Sequence, residues 1–194
     1  TTSSQFTSAL MLIAPKLALG LSIVTEGDVV SQSYLDMTIG VQHSFGVAPI
    51  EHSEHVFRYA AGDYVGARYD VEPDASSASY PLAAAAIAGG RVVVVGLGRS
   101  SLQGDSKFVD VLVRMGCSVE NMGEDVVLSR SPEVSLVGIT VDMRDMSDLV
   151  PTLAVVAAFA QTATTITGVG FIRNKESDRI GDLAHELRAL GVSV

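Results

Sequence analysis

The stretch Asp74-Ala75-Ser76-Ser77-Ala78-Ser79-Tyr80 opens a passage that runs through the apolar segment Leu82–Ile87 into Arg91-Val92-Val93-Val94-Val95 and closes at Gly98. A polar front, an alanine-rich helical segment, a β-branched run and a glycine stop read as a helix followed by a strand. The same order occurs twice more. Thr2–Gly27 has a helix-like run (Phe6, Leu10, Met11, Ile13), a β-rich run and Gly27. Ser147–Gly170 has Leu153–Phe159, then Thr164-Thr165-Ile166-Thr167, then Gly170. The three glycines recur at intervals of about seventy residues, which marks a repeated supersecondary unit. A second helix follows each glycine: Tyr34–Phe45 stops at Gly46, Ser106–Met115 at Gly116 and Arg179–Leu190 at Gly191. After the first two helices come paired short strands, Val47–Glu51 with His55–Tyr59 and Ser118–Asn121 with Val126–Ser129. Opening strands are expected near Arg68–Val71 and Gly138–Asp142. The chain is thus α/β, built from β-α-β-α-β-β units, of which the first lacks its opening strand. The period is too long for a simple solenoid, so the units are expected to pack compactly around shared helices. The polar stretch Ala60–Ala67, with Gly62 and Gly66, reads as the crossing between two domains, 1–67 and 68–194.

Bulk composition narrows the function classes. The chain has 194 residues, a hydrophobic content of 47% and no apolar span long enough for a membrane helix, Ala83–Ile87 being far too short. A net charge of −9 argues against nucleic-acid binding. The single cysteine, Cys117, follows a helix stop at the start of a strand and reads as a small core residue in a reducing, cytoplasmic setting. His43, His52, His55 and His185 make no zinc-type spacing with it. The chain begins at Thr1 without methionine, shows no signal peptide and ends at Val194 within an apparent strand; both ends read as cut.

Polar residues gather at helix fronts. The first helices begin at Ser3-Ser4-Gln5, Asp74-Ala75-Ser76-Ser77 and Ser147-Asp148; the second at Ser31 and Tyr34, Gln103-Gly104-Asp105, and Lys175-Glu176-Arg179. Capping alone explains a single Ser or Asp at such a position. The segment Arg173-Asn174-Lys175-Glu176-Ser177-Asp178-Arg179 is harder to explain. It reads as the opening of the amphipathic helix carrying Ile180, Leu183, Ala184, Leu187 and Leu190, with Lys175 and Arg179 on one face. Cations at a helix N-terminus face the positive end of the dipole. An anionic ligand would resolve that conflict. So would neutralisation by Glu176 and Asp178 on a solvated surface.

Taken together, Ser3-Ser4-Gln5-Phe6, Val30-Ser31-Gln32-Ser33-Tyr34, Asp74-Ala75-Ser76-Ser77-Ala78-Ser79-Tyr80, Ser101-Leu102-Gln103-Gly104-Asp105, Asp142-Met143 with Asp148 and Pro151-Thr152, and Lys175-Glu176-Ser177-Asp178-Arg179 form a specific set. In this order and spacing the chain resembles the 5-enolpyruvylshikimate-3-phosphate synthases (3-phosphoshikimate 1-carboxyvinyltransferases) along its whole length. The resemblance implies the enolpyruvyl transferase-like inside-out α/β barrel: two domains of three units each, with the active site in the cleft between them. On that template the chain carries two partial domains, residues 1–67 being the last unit of the first and 68–194 about two units of the second. The family's N-terminal Gly-Ser-Lys segment, its Asn-Ala-Gly-Thr loop, a phosphate-binding Arg, the Asp-His-Arg motif and a further Lys have no counterpart here. Asn174, Phe171 and Ser33 depart from the family pattern. Domains cut in this way are expected to leave apolar helix faces exposed, with Leu10, Leu12 and Ile13 as candidates.

The resemblance also implies a reaction. The family moves the enolpyruvyl group of phosphoenolpyruvate to the 5-hydroxyl of shikimate 3-phosphate and releases phosphate, a step of aromatic amino acid biosynthesis that calls for no metal or organic cofactor. Ser3, Ser4 and Ser31 would hold the 3-phosphate with Lys175. Gln5 would reach both substrates and Tyr34 would pack beside the shikimate ring. Asp148 would be the base at the 5-hydroxyl, Glu176 the proton relay to the methylene carbon, and Arg179 the ligand of the phosphoenolpyruvate anion. Asp74 would cap a helix and hold the domain crossing. The full-length protein is expected to be a monomer, and the 194-residue piece inactive alone. Alternatives are UDP-N-acetylglucosamine enolpyruvyltransferase, RNA 3′-phosphate cyclase, which the charge disfavours, and a non-catalytic anion-binding fragment.

Overall fold

The structure is a computed structural model and describes residues 3–27, 29–98 and 100–194. Thr2, where the first repeat begins, lies outside the described residues. The chain divides into two units, Thr1–Val71 with Leu102–Gly104, and Glu72–Ser101 with Asp105–Val194. Among the described residues no helix is long and apolar enough to cross a membrane.

In the first unit, Ser3 caps α1 (Ser4–Ile13) by accepting from the Gln5 N–H. A 3-10 turn (Ala14–Lys16) leads to β1 (Leu21–Val24), then α2 (Gln32–Ser44), β2 (Glu51–His52) and β3 (Val56–Tyr59). The strands form one antiparallel sheet in the order β1-β3-β2. Met11 and Ala14 pack with Leu35 and Ile39 of α2 and with Ile23, Val47, Phe57 and Tyr59. Thr38 lies 3.2 Å from Ser8, and Gln42 Nε2 donates to the Met11 carbonyl at 2.9 Å, so positions on both helices advance together and the helices run parallel. Gln42 is buried, yet its amide is satisfied on both sides. The oxygen accepts from the Tyr59 hydroxyl at 2.7 Å and the nitrogen also donates to Tyr64 at 2.8 Å. Burial, helped by the neighbouring Tyr64, pushes the Tyr59 phenol up to about 12.

In the second unit, Asp74 caps α3 (Ala75–Ala88), accepting from the Ser76 N–H at 2.9 Å and the Ser77 hydroxyl at 2.6 Å. β4 (Gly90–Val94) follows, then a 3-10 turn (Gly104–Lys107) into α4 (Phe108–Arg114), β5 (Ser118–Met122) and β6 (Asp125–Arg130). The antiparallel order β4-β6-β5 reproduces that of the first unit, as a true repeat requires. β7 (Thr140–Asp142) then pairs in parallel with β8 (Thr165–Thr167). Between them lie a 3-10 turn (Ser147–Leu149) and α5 (Val150–Ala157). A further 3-10 turn (Gly170–Asn174) precedes α6 (Arg179–Ala189). The core gathers Ala75, Ala78, Leu82 and Ala86 of α3 with Phe108, Leu112, Leu128, Leu149 and Leu153. Cys117 is a buried member of that core, and burial raises its thiol pKa. Gly138 allows a close approach: a Cβ there would fall on the carbonyls of Thr162 and Ala163.

Several expectations need correction. The strand expected over Val47–Glu51 is confined to Glu51–His52, and residues 192–194 form no strand. Residues 68–71 form no strand, because nothing among the described residues pairs with their backbone, and Arg68 and Asp70 stand 91% exposed. The helix expected to open around Arg173–Arg179 begins only at Arg179. Asp178 caps it, accepting from the Ile180 and Gly181 N–H groups, while Arg173 lies in the preceding 3-10 turn and Lys175 is extended. Lys175 and Arg179 therefore do not share a helical face. The glycine stops hold: Gly46, Gly116 and Gly191 all have positive φ. Leu10, Leu12 and Ile13 are exposed as expected. In α6 only Leu187 is buried; Ile180 and Leu183 line an apolar groove of about 670 Å³ with Val150 and Ala154 of α5.

Removing the hydroxyl in Tyr59→Phe orphans the buried Gln42 oxygen, so urea unfolding is expected to show a loss of about 1–3 kcal/mol. Because the folded phenol titrates above the unfolded value of 10.0, its contribution is complete below pH 10 and is lost as pH rises towards 12. Tyr59→Phe should remove that alkaline decline from a series of unfolding curves. Gly138→Ala should destabilise by about 1–3 kcal/mol through overpacking, measured the same way.

Candidate active site

In the first unit the parallel course of α1 and α2 sets both N-termini at the same end. Ser3, Ser4 and Gln5 stand at the front of α1. Ser3 already caps it, Ser4 is buried and Gln5 is exposed. Ser31 stands at the front of α2 in left-handed backbone, φ 56° and ψ 50°. It is the one non-glycine residue with positive φ among the described residues. Such a conformation costs about 1–3 kcal/mol and persists where the surroundings enforce it. The Ser31 hydroxyl does not cap the helix. Tyr34, half-buried, follows in the first turn, its N–H bonded to the Ser31 carbonyl at 3.1 Å. The front of α2 thus combines a buried serine, a strained backbone and an N-cap residue whose own side chain does not cap the helix.

In the second unit the fronts of α5 and α6 meet through charge. Asp148 sits in the 3-10 turn ahead of α5. Arg179, the first residue of α6, donates from Nη1 to Asp148 Oδ1 at 2.6 Å and from Nη2 to Glu176 Oε2 at 2.7 Å. One guanidinium therefore holds the two carboxylates that sequence reasoning chose for proton transfer. Arg179 is less exposed than its partners, 29% against 42% for Asp148 and 79% for Glu176. The pairs remain open to water, and ion pairs of this kind contribute only about 0–1 kcal/mol, so an incoming anion can displace them. Glu176 is held below the usual carboxylate range, first by its own backbone N–H and then by Arg179. Lys175, half-buried in the extended link, has no carboxylate within ion-pair distance among the described residues.

The neutralising reading is correct for part of the cluster. Arg173 pairs at 2.7 Å with Asp178, which also caps α6 and lies below its usual range, chiefly through the Gly181 N–H. It does not account for the contact of Arg179 with Asp148, 31 positions earlier in the chain. Asp74 performs the capping expected of it.

One residue outside the expected set belongs to the same end of the second unit. Asp105, in the turn before α4, is buried and accepts from the Ser76 hydroxyl at 2.5 Å, while its Oδ1 has no hydrogen-bond partner among the described residues. Burial raises its pKa, the Ser76 bond opposes that, and the charges of Asp148 and Asp74 add to the rise. Its place at a helix front was legible in the repeat, but its burial was not. Among the described residues no group of three or more His, Cys, Asp or Glu side chains is placed to hold a metal ion.

The sequence matches the family model for EPSP synthase (3-phosphoshikimate 1-carboxyvinyltransferase) over residues 1–194. The 3-phosphoshikimate 1-carboxyvinyltransferase of Methanothermobacter thermautotrophicus is 44% identical over 192 residues, covering 99% of this chain and 45% of that protein. The same-named protein of Trichormus variabilis is 47% identical over 193 residues, with the same coverage. The chain thus spans a little under half the length of these relatives. The solved EPSP synthase from Acinetobacter baumannii superposes with a TM-score of 0.67 at 28% identity, over 92% of this chain and 41% of that one. The enolpyruvyl transferase NikO from Streptomyces tendae, at 14% identity and TM-score 0.58 over 80% of this chain and 38% of that one, shares the fold. With a match along every residue and the repeat reproduced in its strand order, the chain belongs to the EPSP synthase family.

Proposed function

We propose that the full-length protein transfers the enolpyruvyl group of phosphoenolpyruvate to the 5-hydroxyl of shikimate 3-phosphate, as a cytoplasmic monomer, and that this chain carries part of each substrate site. The observation that carries the reading is the bridge of Asp148, Arg179 and Glu176 within a chain that matches the family throughout. The chemistry needs one group to take the hydroxyl proton and another to deliver a proton to the methylene carbon. The oxygen at C5 then bonds to the central carbon of phosphoenolpyruvate, giving a tetrahedral intermediate. Breaking the bond to the phosphate oxygen, with loss of a methyl proton, releases phosphate and restores the double bond.

Asp148 takes the hydroxyl proton and Glu176 serves the methylene carbon. Arg179 passes from its two carboxylates to the phosphoenolpyruvate anion. That transfer removes the cation that helps keep Glu176 ionised, so anion binding favours the protonated relay. Lys175, with no ion pair among the described residues, joins Ser3, Ser4 and Ser31 around the 3-phosphate. Gln5 and Tyr34 orient the ring. The domain assignment, with residues 1–67 in one domain and 68–194 in the next, belongs to the same reading.

Phosphate release from the two substrates by the full-length protein tests this. Asp148→Ala and Glu176→Gln are each expected to lower kcat by about 10²–10⁴-fold with the fold retained by circular dichroism. Arg179→Gln should raise KM for phosphoenolpyruvate well beyond that for shikimate 3-phosphate. The isolated chain should show no turnover, since oriented charges are worth about 10²–10³-fold each and those of the absent segments act together. Turnover by the isolated chain near that of the full-length protein, or an inactive full-length protein, would refute the proposal.

A further inference from the structure

α3 and α5 meet largely through small and apolar side chains, Ala75, Ala78 and Ala83 on one helix and Val150, Leu153 and Val156 on the other being buried. Such contacts are non-directional and leave the rotation of one helix against the other loosely set. A polar contact crosses the interface. Ser79 Oγ and Thr152 Oγ1 lie 3.3 Å apart, and both residues are buried. Proton counting gives its direction. A hydroxyl carries one hydrogen. That of Ser79 is donated to the Ser76 carbonyl at 2.6 Å, so Thr152 is the donor to Ser79. Ser76 in turn donates its own hydroxyl to Asp105. A directed set of bonds thus ties the first turn of α5 to α3, and α3 to the turn before α4.

Thr152 stands four residues after Asp148, directly behind the 3-10 turn that presents it. The N-cap residue of α5, Leu149, has no polar side chain with which to cap the helix. We propose, resting on the reading of Asp148 as the base, that the Thr152–Ser79 hydroxyl pair is a positioning device. It sets the rotation of α5 on α3 and so aims Asp148 at Arg179 and the substrate hydroxyl. Thr152 touches no reacting atom and acts only through Asp148.

Thr152→Val in the full-length protein isolates the effect. It keeps the volume, removes the hydroxyl and leaves the Ser79 proton on the Ser76 carbonyl, so no donor is orphaned. Misplacement of a catalytic group on the ångström scale costs up to about 10²-fold, so kcat is expected to fall at least about ten-fold with KM for both substrates within about two-fold. Thr152→Ser, which keeps the hydroxyl, should restore kcat. A second readout does not depend on turnover: in protein labelled with ¹⁵N-arginine, the ion pair slows rotation of the Arg179 guanidinium. The Arg179 signal of Thr152→Val should move towards that of Asp148→Asn, and that of Thr152→Ser should stay at wild type. If the wild-type protein releases no phosphate from the two substrates, the functional reading fails and the Arg179 signal alone decides the positioning. An unchanged Arg179 signal in Thr152→Val overturns the proposal. So does a loss of kcat that Thr152→Ser shares in proportion to a lowered Tm, which is the behaviour of a packing residue.

Discussion

Every helix front in a protein leaves amide groups without intrahelical partners, and in each unit here several fronts lie at one end. The fronts differ in how they satisfy those groups. Ser3, Asp74 and Asp178 cap α1, α3 and α6 with their own side chains. The N-cap residues of α2, α4 and α5 make no such bond. The fronts of α2 and α5 carry Ser31 with Tyr34, and Asp148. The Tyr34 N–H is taken by the Ser31 carbonyl and the Val150 N–H by the Ser147 carbonyl, so at these fronts it is the helix dipole that favours an anion or a polar group. The strained backbone at Ser31 fits this division, because a left-handed serine gives up helical capping geometry and is retained despite its cost.

The repeat was legible in the sequence because its punctuation is local. Gly46, Gly116 and Gly191 need positive φ whatever surrounds them, and the alternation of helical and β-branched runs needs no tertiary information. The strand order shared by β1-β3-β2 and β4-β6-β5 follows from the same connectivity used twice. The opening strand at 68–71 was not legible, because a strand exists only through a partner and the sequence of that segment says nothing of whether one is within reach. The start of α6 was displaced for a different reason. Asp178 competes for the amide groups of Ile180 and Gly181, and once it caps there the preceding residues cannot continue the helix.

The charged residues of the site were readable as residue types and only partly as contacts. Lys175, Glu176 and Arg179 stood out because cations belong at the other end of a helix. The structure resolves the anomaly by geometry: Lys175 leaves the helix, Arg173 is neutralised by the capping aspartate, and Arg179 turns to Asp148. The pairing of Asp148 with Arg179 depends on how α5 and α6 pack, which no spacing rule supplies. Asp105 escaped for the same reason, since its burial is a property of the packed α3–α4 corner.

The bonds around Arg179 also bear on how the proposed site would stay ordered without a ligand. A cation left alone in a cleft would be costly to desolvate and free to wander, whereas bonds to Asp148 and Glu176 hold it in place. Because those bonds stay partly solvated, they are weak enough for a phosphate or carboxylate to replace. In the proposed reaction, the two carboxylates would then be released from their counter-ion as the substrate binds. A fully buried ion pair of the same composition would have ordered the empty site more firmly, but breaking it costs about 3–5 kcal/mol, which would come directly out of substrate affinity. On the proposed reading, the 29%-exposed Arg179 stays in place while the 79%-exposed Glu176 can change partners.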